Sequence, residues 1–86
     1  MNVDDGKYVS TPVHSFRMTD VEDFEIYAYQ IIQEWKNTEE GQWIMSNAVE
    51  APHWESIIDY ETYGYKCVIV AKFLEANYLY WQLRFR

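Results

Sequence analysis

At 86 residues the chain has room for a single domain, and 49 % hydrophobic with 19 % aromatic residues is too much core material for a disordered protein. Its net charge of −7 sets up a field that repels phosphate, which weighs against nucleic acid as the partner. There is no signal peptide and no apolar run of bilayer-spanning length, so a soluble, cytoplasmic chain is expected.

From the N-terminus, residues 1–7 are polar around Asp4-Asp5-Gly6, and a loose end is expected. Tyr8, Val9, Val13, Phe16 and Met18 then surround Pro12, which has no N–H to give a ladder, so a strand here either lies at a sheet edge or starts after the proline. Thr19-Asp20-Val21-Glu22 has the form of a capping box. After it, Val21, Phe24, Ala28, Ile31, Ile32 and Trp35 recur at three-and-four spacing, with Tyr27 on the flank, which predicts a helix from Asp20 to Lys36. Asn37-Thr38-Glu39-Glu40 breaks that stripe and offers a second cap. A shorter helix over Glu39–Asn47 follows, weakened at its start by Gly41 and closed off by Pro52.

The last third alternates. A strand is predicted at Glu55–Tyr60, then a turn through Glu61-Thr62-Tyr63-Gly64. Cys67, Ile69, Ala71 and Phe73 next alternate with Lys66, Val68, Val70 and Lys72. Beyond Leu74-Glu75-Ala76-Asn77, Leu79, Trp81, Leu83 and Phe85 alternate with Tyr78, Tyr80, Gln82 and Arg84, and these two runs read as a hairpin. The expected architecture is α+β over residues 1–86: an antiparallel sheet, made of a C-terminal three-stranded meander plus an N-terminal edge strand, with one long and one short helix on one face.

The stretches Glu34-Trp35-Lys36, Gly41-Gln42-Trp43-Ile44, Asp59 to Lys66, Val68 to Lys72 and Tyr80 to Phe85 resemble small proteins of marine cyanophage-type tailed phages. That group has no known activity. The resemblance implies a viral or marine metagenomic source and a host-cytoplasmic setting, and it assigns no residue a role.

The residues offer little chemistry. Cys67 sits on a predicted core face, and neither His14 nor His53 is near it in sequence, so no nucleophile–base pair is expected. His14, His53 and Cys67 lack the close spacing of zinc ligands, and the three glycines form no phosphate loop. No enzyme, cofactor or metal site is expected. Charge is more informative: residues 18–63 carry eleven acids against Lys36 alone, while residues 64–86 carry Lys66, Lys72, Arg84 and Arg86 against Glu75. With Lys66, Val68, Val70, Lys72, Tyr78, Tyr80 and Arg84 placed on the hairpin's outer face, the expected role is a protein-interaction module that forms a homodimer, bases against acids. The alternatives are single-stranded nucleic acid on that basic, tyrosine-bearing face, or an acidic DNA mimic that inhibits a host protein.

Overall fold

The computed structural model describes residues 7–18, 23–61 and 64–86, and only the backbone at Phe24 and Asp59. The loose terminus expected before Lys7, the capping box at 19–22 and most of the turn at 61–64 lie outside these residues. The described chain runs β1 (Tyr8–Met18), α1 (Phe24–Lys36), α2 (Glu39–Asn47), β2 (His53–Asp59), β3 (Gly64–Leu74) and α3 (Glu75–Phe85). The class is α+β. The three strands form an antiparallel sheet in the order β1-β3-β2, so β1 is an edge strand, as its proline requires.

One expected strand is a helix. Residues 75–85 do not return along β3 as a meander; α3 starts directly after Leu74, whose backbone is still extended (φ −61°, ψ 146°). Alternation of Leu79, Trp81, Leu83 and Phe85 concealed a second pattern, Tyr78, Trp81 and Phe85 at helical spacing. The helix uses the second: Trp81 is 4 % exposed, whereas Leu79 is 51 % and Leu83 88 % exposed. A signal for this was present in composition. No residue of Glu75–Phe85 is β-branched, while β3 carries Val68, Ile69 and Val70 in a row. Glu75 in the first turn and Arg84 in the last also match the helix dipole.

The sheet's inner face carries the core. Opposite residues of antiparallel strands share a face, and Val9, Thr11, His14 and Phe16 lie opposite Phe73, Ala71, Ile69 and Cys67. The register slips between Pro12 and His14, leaving Val13 as the extra residue of a bulge. The inward positions of β1 therefore change from odd to even, and Val13 is buried with Met18, Cys67, Ile69, Ala71 and Phe73. All three helices cover this face: Trp81 of α3 stacks on Phe73 (centroids 6.1 Å apart), Trp43 of α2 meets Phe73 at 5.8 Å, and Trp35 of α1 stacks on His14 at 5.8 Å.

α1 starts later than its periodicity predicts. Asp23 is non-helical (φ −128°) and caps it, accepting from the Ile26 amide. Ala28, Ile32 and Trp35 are buried, as the stripe requires. Thr38 ties α1 to α2: its hydroxyl donates to the Trp35 carbonyl at 2.7 Å and accepts from the Gly41 amide at 3.0 Å. The chain packs so closely there that a Cβ on Gly41 would stand 2.0 Å from the Trp35 carbonyl oxygen. Gly41 is a packing requirement, not only a weak helix former.

Candidate interaction surface

The seven residues expected to form one surface fall on two sides of the molecule, because α3 is not a strand. Lys66, Val68, Val70 and Lys72 stay on the outer face of the sheet, opposite Arg17, Ser15, Pro12 and Ser10. Tyr78, Tyr80 and Arg84 ride on α3, which packs on the other face. Tyr80 stacks on Trp43 (5.2 Å), and the Tyr78 hydroxyl accepts from Gln82. Lys72 sits over the Tyr8 ring at 5.2 Å.

The contrast between acidic middle and basic end is met within the chain. Arg84 pairs with Glu39, Arg86 with Glu40 at 3.1 Å, and the Trp81 indole N–H donates to Glu40 at 2.8 Å. Arg86 also donates to the Val13 carbonyl and lies 4.9 Å from the Trp81 ring centroid. Two acids at the N-terminus of α2 thus meet two bases at the C-terminus of α3, each favoured by its own helix dipole. Those arginines are engaged at home.

The candidate nucleophile and base come closer than their sequence separation implies. Positions 14 and 67 lie diagonally on neighbouring strands of the inner face. Burial nevertheless pushes the Cys67 thiol up, away from the reactive thiolate. Burial also holds the His14 imidazole below its ordinary range, with Glu40 raising it and Arg86 lowering it by smaller amounts. His53 is on the outer face, 3.4 Å from Glu55. Among the described residues no three His, Cys, Asp or Glu side chains gather as a metal would need, and no helix is long and apolar enough to cross a membrane.

The strand expected at Glu55–Tyr60 is present as β2, two residues earlier at its start and one at its end, but sequence reading missed that it is left uncovered. The helices rest chiefly on β1 and β3, so His53 through Ile58 are all exposed. Trp54, Ser56 and Ile58 face inward, opposite Ile69, Cys67 and Tyr65, while His53, Glu55 and Ile57 face outward. Apolar residues thus occupy both faces of a strand whose other edge pairs with nothing among the described residues. Beside it a cleft of about 270 Å3 opens between α1 and β2, walled by Tyr29, Lys36, Pro52 and Trp54, with Ile69 and Trp35 behind. That is smaller than the ~300–1,000 Å3 of ordinary small-molecule sites and suits one inserted side chain. The Trp35 indole N–H is buried without an acceptor among the described residues.

No protein-family model matches the chain, nor does any curated protein or solved structure, and its surfaces alone carry the functional argument.

Proposed function

We propose that the chain is a non-enzymatic interaction module that self-associates, joining the exposed edge of β2 to the same edge of a second copy. The observation that supports this is the bare edge: seven residues, His53–Asp59, with Trp54, Ile57 and Ile58 exposed and one row of backbone donors and acceptors unpaired among the described residues. Such an edge is a template for strand addition, and apolar side chains on both faces reward the added strand. The hairpin-to-acidic-surface route is replaced, because Arg84 and Arg86 already hold Glu39 and Glu40. The bases of the sheet and those of α3 lie on opposite sides, so the oligonucleotide reading has no single basic, aromatic face to rest on.

Light scattering over rising protein concentration should show the mass moving from one chain to two. Ile57→Glu with Ile58→Glu, which adds carboxylates to exposed edge positions, should hold the protein monomeric. Leu83→Glu, on the exposed side of α3, should dimerise as wild type does. A wild type that stays monomeric, an edge variant that still dimerises, or a dimer lost in Leu83→Glu would overturn the reading.

A further inference from the structure

The self-association just proposed has a definite geometry, and the inference rests on that reading. We infer that β2 pairs antiparallel with β2 of a second copy about a two-fold axis at Ser56, making one continuous six-stranded sheet with the helices of both copies on the same face. An axis relating neighbouring antiparallel strands of one sheet stands perpendicular to it, so inward positions meet inward positions. Trp54, Ser56 and Ile58 are inward, and His53, Glu55 and Ile57 are outward. Three centres then pair at least five residues of the strand: Glu55, Ser56 and Ile57.

Charge and coverage select among them. An axis at Glu55 sets that carboxylate against its own copy. An axis at Ile57 pairs only positions 55–59 and leaves the exposed Trp54 with no residue opposite it. Like charges directly opposite destabilise a strand pair, and apolar or opposite-charge pairs stabilise it. An axis at Ser56 places position 53 opposite 59 at each end of the pair. It places 54 opposite 58, an indole against a branched aliphatic, and 55 opposite 57. It alone engages all seven positions, and it sets Glu55 opposite Ile57 and not against its own copy. On the inward side, Ile58 of the second copy comes beside Trp54 at the mouth of the cleft, covering apolar surface that the helices leave open.

Directly opposite residues in an antiparallel pair have Cα atoms ~4.5–5.5 Å apart, within reach of a disulfide. The test therefore compares Ser56→Cys, Glu55→Cys and Ile57→Cys, each with Cys67→Ala because Cys67 lies opposite Ser56 in the same chain. After mild oxidation, Ser56→Cys should run at twice the chain mass on a non-reducing gel, while the other two stay at one. Cross-linking of Glu55→Cys or Ile57→Cys in its place would overturn the register but leave the edge reading standing. A dimer by light scattering with no variant cross-linked would overturn both. Wild-type protein supplies an arm free of engineered residues: amide exchange over residues 53–59 should slow as concentration rises, and exchange independent of concentration would count against the seam.

Discussion

β1 and β2 flank the same central strand, yet their free edges are built in opposite ways. Along β1, Pro12 has no N–H, Val13 breaks the register, and Arg86 donates to the Val13 carbonyl. Along β2, seven residues run in unbroken register with no proline and no lysine. Bulges, prolines and covering cations are the usual devices against edge-to-edge pairing. One edge has all three and the other, among the described residues, has none, and this difference is what the proposed pairing at β2 draws on. The guard on β1 is also tertiary: Arg86 is held by Glu40 and the Trp81 ring, and so by the corner of α2 and α3.

The largest expected effect comes from breaking that corner. Trp81→Ala removes the stack on Phe73, the donor to Glu40 and the platform under Arg86. It should cost about 3–5 kcal/mol and lower Tm by about 15 °C or more in thermal denaturation. A variant melting within a few degrees of wild type would show that α3 does not hold the β1 side together. Gly41→Ala comes next, since its methyl would press on the Trp35 carbonyl. About 1–3 kcal/mol should be lost in denaturant titration, with self-association at β2 retained in whatever remains folded.

Opening the guarded edge sharpens the comparison directly. Pro12→Thr with Arg86→Ala should produce species larger than two chains in light scattering, as both edges become available. A variant of unchanged mass would mean that the proline and the arginine are not what blunts β1. Salt acts on the other edge: two copies each carrying −7 repel, so moderate salt should strengthen the proposed dimer by screening. Weakening with added salt would point to charge pairing across the seam in place of apolar contact.

The smallest effect is in pH. Burial holds His14 below the ordinary histidine range. The unfolded chain therefore takes up that proton before the folded one does, and stability falls as pH drops through ~6.5 and recovers above it. His14→Phe, which keeps a ring against Trp35, should flatten the fall in stability between about pH 7 and 5. An equally steep fall in the variant would assign the effect to other groups.

Much of this was legible in the chain itself. Periodicity located β3, the body of α1 and the bounds of α2, because a core-facing stripe repeats with the geometry of its own element. Pro12 limited β1 to an edge or to a start after the proline, since a missing N–H is a local fact, and the sheet order decided for the edge. The last eleven residues of helix were not legible by the same route. Leu79, Trp81, Leu83 and Phe85 satisfy a two-residue period while Tyr78, Trp81 and Phe85 satisfy a helical one, and only packing on Phe73 and Trp43 decides which set is buried. The engagement of Arg84 and Arg86 depends on residues more than forty positions apart meeting at one corner, and the role of Gly41 on how closely α2 folds back on the end of α1. The bareness of β2 depends on where three helices come to rest. Local pattern states which face of an element is apolar, and tertiary structure decides whether anything covers it.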